Sequence, residues 1–114
     1  METCIFCKIA RGEIPAQVVY EDDEITAFKD INPGAPVHIL LIPKRHIPGV
    51  VSLTDGDAEL ITRIILTANK LAEEFGVARD GFRVVVNQGA NAGQSVPHLH
   101  FHLLGGRALG WPPG

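Results

Sequence analysis

No run in this chain of 114 residues approaches the ~20 consecutive apolar residues that a bilayer span needs. The segment Met1-Glu2-Thr3-Cys4 has neither the basic region nor the apolar stretch of a secretory leader. Lys and Arg are scattered singly and the formal net charge is -3, so there is no basic surface of the kind that nucleic acid requires. We therefore expect a cytoplasmic protein with neither a membrane nor a nucleic-acid partner. The acidic residues do not cluster, which argues against a pair of catalytic carboxylates. With only two cysteines, Cys4 and Cys7, a disulfide framework is excluded as the basis of the fold.

What is present is a 46% hydrophobic composition, enough for one compact domain over residues 1–114 with its own core. Ile5, Phe6 and Ile9 read as the apolar side of a short helical turn ending by Gly12 and Pro15. Val18–Glu21 and Ile25–Asp30 read as a hairpin turning at Asp22-Asp23. Val37–Ile42 is almost wholly apolar, as a central strand is, and Pro43 stops it. From Asp57 to Phe75, apolar residues recur at three- and four-residue intervals, which predicts one long helix capped by Thr54 and ended by Gly76; its charged side reads as a solvated face. Phe82–Asn87 is a further strand. The polar loop from Asn87 to Pro97 contains two glycines and Ser95, groups suited to approach a small anion.

The loop leads into His98-Leu99-His100-Phe101-His102-Leu103-Leu104. As a strand, this stretch puts His98, His100 and His102 on one face and Leu99, Phe101 and Leu103 on the other. A helix would turn His100 away from its two fellows. Three imidazoles in a row demand something polar against them, a metal, an anion or both. Cys4-Ile5-Phe6-Cys7 has the short spacing of zinc sites but supplies only two of four ligands; a redox pair and two uninvolved thiols are the rival readings. His46 and His98 are candidates for the other two. His100 and His102 then remain for chemistry, joined by His38 if its strand adjoins the last one. Neutral imidazole is a competent nucleophile toward phosphorus, and a hydrogen bond to its second nitrogen fixes the attacking tautomer.

That stretch, together with Glu13-Ile14-Pro15-Ala16, Ile42-Pro43-Lys44-Arg45-His46-Ile47, Gly93-Gln94-Ser95-Val96 and Trp111-Pro112-Pro113-Gly114, resembles the nucleotide-binding (Hint) branch of the histidine triad (HIT) family. The resemblance covers nearly the whole chain. It implies a HIT-like α+β fold: a five-stranded antiparallel sheet with one long helix and a short N-terminal helix, paired in a homodimer with a continuous ten-stranded sheet. It implies hydrolysis of purine nucleoside 5'-phosphoramidates, such as adenosine monophosphate joined to an amine. By that likeness His100 is the nucleophile that forms a nucleotidyl-histidine, His102 and His38 support it, and Ser95 contacts the leaving group. Asn87, Gln94 and Val96 lie around the phosphate, Asp30 binds the ribose, and Phe6, Ile9, Phe28, Ile31 and Leu40 surround the base. Cys4, Cys7, His46 and His98 fall on the ligands of a structural zinc that the chemistry itself does not need, and Trp111 reaches toward the partner's site. Dinucleoside polyphosphate hydrolysis, a nucleotide-binding adaptor with vestigial catalysis, and a metal protein ligated by the three histidines are the competing readings.

Overall fold

A computed structural model describes residues 3–114; Met1 and Glu2, read above with the N-terminal segment, lie outside the described residues. Five strands, β1 (Val18–Glu21), β2 (Ile25–Lys29), β3 (Val37–Pro43), β4 (Phe82–Val86) and β5 (Phe101–Gly105), form one antiparallel sheet in the order β1-β2-β3-β5-β4. The apolar strand β3 is central, as its composition requires, because both of its faces are covered. A short helix α1 (Ile5–Ala10) covers one face and the long helix α2 (Ala58–Glu74) the other.

Alternation along each strand sorts the residues between two cores. Ile25, Ala27, Ile39, Leu41, Leu99, Phe101 and Leu103 pack with Leu60, Ile64, Ala68, Leu71 and Ala72 of α2. Phe28, Leu40 and Ile42 face the other way and pack with Cys4, Phe6, Cys7 and Ile9 of the α1 segment. Full burial of each aliphatic side chain in these layers contributes about 1.5–3 kcal/mol.

The helix ends follow local chemistry. The Asp57 carboxylate accepts the Thr54 backbone N–H at 3.0 Å, and a 3-10 turn over Asp55–Asp57 leads into α2. At the other end Gly76, with φ +76°, lets the chain reverse so that Val77 N–H donates to the Ala72 carbonyl at 2.8 Å. Asp22 organises the β1–β2 turn. Its Oδ1 accepts from the N–H groups of Glu24 and Ile25, each at 2.8 Å, while Oδ2 accepts from Tyr20 Oη at 2.6 Å and Arg63 Nη2 at 2.7 Å. One carboxylate thereby ties the hairpin to α2.

Two sequence expectations shift. The ladder of β5 begins at Phe101 rather than His98, because Leu99 N–H donates instead to the Ile47 carbonyl at 2.6 Å, outside the sheet. The inward and outward alternation still continues through His98–His100, so the three histidines keep one side. Ile5 is 46% exposed and does not share the buried side of α1 with Phe6 and Ile9. It lines a surface depression of about 430 Å³ with His46, Ser95 and Val96.

Candidate active site and metal centre

The β3–β5 register sets Leu40 against His102 and Leu104 against His38, so the two histidines lie diagonally on one face of the sheet. His38 Nε2 is 2.9 Å from His102 Nδ1. Which nitrogen carries the proton follows from the neighbours. Gly34 N–H donates to His38 Nδ1 at 2.9 Å, so that nitrogen is bare and the proton of neutral His38 sits on Nε2. Nε2–H then donates to His102 Nδ1, with the Asp30 carboxylate also 3.5 Å away. His102 is thereby left with its proton on Nε2. That buried nitrogen has no hydrogen-bond partner among the described residues.

Both rings are neutral near pH 7. Burial lowers the His38 pKa against the pull of Asp30, and burial, with His100 and His38 nearby, lowers that of His102 to about 4. Asp30, His38 and His102 also form a trio of metal-ligand types. Their 2.9 Å ring-to-ring approach is a hydrogen bond, shorter than the separation of two nitrogens on one metal.

His100 is buried and its ring lies 5.1 Å from that of His102, centroid to centroid. Its Nδ1 is 2.8 Å from the His98 carbonyl oxygen. A carbonyl only accepts, so Nδ1 carries the proton and the lone pair is on Nε2. Phe6 packs edge-to-face on His100 at 5.1 Å, on His98 at 5.9 Å and on Phe28 at 5.5 Å. Helix α1 thus forms one wall beside the His100 ring.

The other groups expected at the site differ in placement. Phe6, Ile9, Phe28 and Leu40 are buried in the core beneath α1, whereas Ile31 and Trp111 are 90% and 83% exposed. Asn87 and Val96 are half-buried and Ser95 is exposed. The side chain of Gln94 is engaged with backbone: Gly89 N–H donates to its Oε1 at 2.8 Å, and its Nε2 donates to the carbonyls of Pro48 at 2.9 Å and Val96 at 3.1 Å. It pins the loop that carries Ser95.

Cys4, Cys7, His46 and His98 converge, all four donor atoms lying within 4.8 Å of one another, close enough to hold a metal ion. Cys4 Sγ is 3.2 Å from His98 Nδ1, and Cys7 Sγ is 3.3 Å from His46 Nδ1 and 3.5 Å from His98 Nδ1. Metal–ligand bonds of about 2.0–2.3 Å in tetrahedral array place donors roughly 3.3–3.8 Å apart, so the cluster fits such an ion. His98 Nε2 donates to the Pro43 carbonyl at 2.8 Å, which leaves Nδ1 bare for a ligand role. Burial, reinforced by Cys4, raises the Cys7 thiol.

Sequence reasoning missed the Gly34 N–H, the Pro43 carbonyl and the His98 carbonyl. Backbone groups leave no residue-type signal; the turn-rich Asn32–Pro36 and the strand-ending Pro43 marked only the places where the chain bends.

Histidines in a row on one side of the last strand, their rings 5.1 Å apart and bonded to backbone or to a further histidine, define a histidine triad site. The chain belongs to the HIT domain family, which matches residues 11–109. Among particular relatives, it is 50% identical over 109 residues to the purine nucleoside phosphoramidase of Escherichia coli K12, covering 96% of this chain and 92% of that protein. It is 53% identical over 113 residues to an uncharacterized HIT-like protein of Synechocystis, covering 99% of this chain and 98% of that one. The solved HIT family hydrolase of Legionella pneumophila Philadelphia 1 superimposes with a TM-score of 0.97 at 53% identity, over 98% of this chain and 100% of that chain.

Proposed function

We propose that this protein hydrolyses purine nucleoside 5'-phosphoramidates through a nucleotidyl-histidine on His100. The observation that carries the reading is the 2.8 Å bond from His100 Nδ1–H to the His98 carbonyl, which leaves Nε2 as a fixed nucleophile. The relationship to the E. coli phosphoramidase supplies the substrate class.

In this reading the His100 Nε2 lone pair forms a bond to phosphorus as the phosphorus–nitrogen bond to the amine breaks. The departing amine takes a proton from the Ser95 hydroxyl at the leaving group, which regains one from solvent water. Water then cleaves the nucleotidyl-histidine, releasing the nucleoside monophosphate and restoring the neutral ring. His102 Nε2–H, a buried donor with no hydrogen-bond partner among the described residues, is suited to a phosphoryl oxygen, where charge develops. His38 holds that proton in place. Asp30 takes the ribose, the apolar residues of α1 with Phe28, Ile31 and Leu40 take the base, and Asn87, Gln94 and Val96 shape the phosphate loop.

Zinc is the ion we assign to Cys4, Cys7, His46 and His98. These four ligands would join the α1 segment to the segments that follow β3 and precede β5, and an ion they held would have no open coordination position. Two thiol ligands suit a reducing compartment, consistent with the cytoplasm. A homodimer completes the reading. Edge strand β4 is half-buried along its length, and Ile65, Leu66 and Trp111 are exposed apolar groups that a second copy would cover.

The test is mass spectrometry of the protein mixed with an adenosine 5'-phosphoramidate. A transient gain of one adenylyl group, absent from His100→Gly, is expected. Hydrolysis at the wild-type rate by His100→Gly overturns the assignment.

A further inference from the structure

The last strand leaves the sheet at Gly105-Gly106 and turns back over the loop before β3. Gly106 has φ +95°, and a Cβ there would lie 2.9 Å from the Pro36 side chain. The close approach delivers Arg107, whose Nη2 donates to the Gly34 carbonyl at 2.7 Å while Nη1 donates to its neighbour's carbonyl at Ala108, 2.9 Å away. Gly34 is also the residue whose N–H donates to His38 Nδ1. Without a side chain, Gly34 depends on these two bonds to fix the peptide planes on either side of it.

We infer that Arg107 is a positioning residue for the triad, acting through Gly34 and His38 to keep the proton of His102 on Nε2. The chain of contacts is continuous: Arg107 Nη2–H to Gly34 oxygen, Gly34 N–H to His38 Nδ1, and His38 Nε2–H to His102 Nδ1. The two bonds at Gly34 lie on different peptide groups, the carbonyl on the amide that follows it and the N–H on the amide that precedes it, so Arg107 acts by holding the backbone of Gly34 in place.

The direction matters. If Gly34 swings away, His38 is free to protonate at Nδ1 and to present a bare Nε2. His102 then donates from its own Nδ1 to His38, and its Nε2 becomes a lone pair facing the site. A donor for a phosphoryl oxygen is thereby converted into a group that repels it. Asp30, 3.5 Å from His38 Nε2, favours the working tautomer but holds Nε2–H from the side and does not block protonation at Nδ1.

The catalytic consequence rests on the phosphoramidate reading; the tautomer consequence does not, and the test separates them. Long-range proton–nitrogen correlation spectra of the free protein report which ring nitrogen of His38 and His102 carries hydrogen. Wild type is expected to show Nδ1 bare and Nε2 protonated on both rings. Arg107→Ala should give mixed tautomers on both, and should lower kcat by about 10–100-fold with KM little changed. Arg107→Lys, which keeps a charged donor, should restore the wild-type pattern. Arg107→Gln, too short to reach Gly34 yet polar enough for an exposed position, should behave as the alanine variant and serves if that variant does not fold. Unchanged tautomers in both Arg107→Ala and Arg107→Gln overturn the inference, whatever happens to turnover. Mixed tautomers in a protein that does not hydrolyse phosphoramidates uphold it and remove the function reading instead.

Discussion

The two faces of the sheet come from the same strands and do opposite things. On the face toward α2 the buried strand residues are apolar and are held by burial and close packing, while the buried Thr67 of α2 bonds within its own helix, at the Arg63 carbonyl. The face toward α1 alternates with it residue by residue, yet it carries Thr26, His38, His98, His100 and His102. Polar groups inside a protein are stable only when bonded, and most of these are. The two buried side-chain polar atoms that lack a partner among the described residues, Thr26 Oγ1 and His102 Nε2, both belong to this face. One face therefore holds packing residues only, and the other combines a smaller core with the polar side chains on which the proposed chemistry depends.

Substitutions that separate the faces sharpen this division. The largest effect should come from His100→Gly: turnover falls on the order of 10⁴-fold or more, while the melting temperature stays close to wild type. A parallel loss of folding would break the division. Ile64→Ala, at a fully buried position against the sheet, should do the reverse and cost about 2–5 kcal/mol in denaturant unfolding, with the folded fraction retaining its kcat.

Acid should act through the histidine face. The folded pKa of His102, about 4, lies below the ordinary 6.5, so the unfolded chain takes up the proton first. Stability is full above about pH 6.5 and declines as pH falls toward 4, by on the order of 3 kcal/mol from this residue alone. Unfolding curves of wild type and His102→Gln across that window isolate the contribution, and identical slopes would contradict it. Thr26→Val is the smallest change expected, within about 1 kcal/mol of wild type and on the stabilising side, since it removes a buried hydroxyl that makes no hydrogen bond among the described residues.

The division between faces was legible in the sequence wherever a period was. Alternation from His98 to Leu103 separated reactive from packing residues, and the three- and four-residue spacing from Leu60 to Phe75 marked α2. The paired spacing of Cys4 and Cys7 marked half a metal centre, and the structure brings His46 and His98 to it. What could not be read was any bond that departs from a period. The diversion of Leu99 N–H to Ile47 delays β5 by three residues, and no local pattern encodes it. Ile5 is exposed although Cys4, Phe6 and Cys7 around it are buried, and it lines the depression shared with His46, Ser95 and Val96. The link from Arg107 to Gly34 spans 73 residues and joins a side chain to a carbonyl, a pairing that no residue type announces.

The contact between Cys4 and His98 joins positions 94 residues apart. A growing chain emerges from its N-terminus, so the segment that carries both thiols is made long before the imidazole it meets, and at six residues helix α1 is too short to hold its shape alone. Neither the cysteine–histidine cluster nor the histidine row beside it can be assembled without the last strand. The proposed chemistry would therefore begin late in synthesis, when that strand arrives.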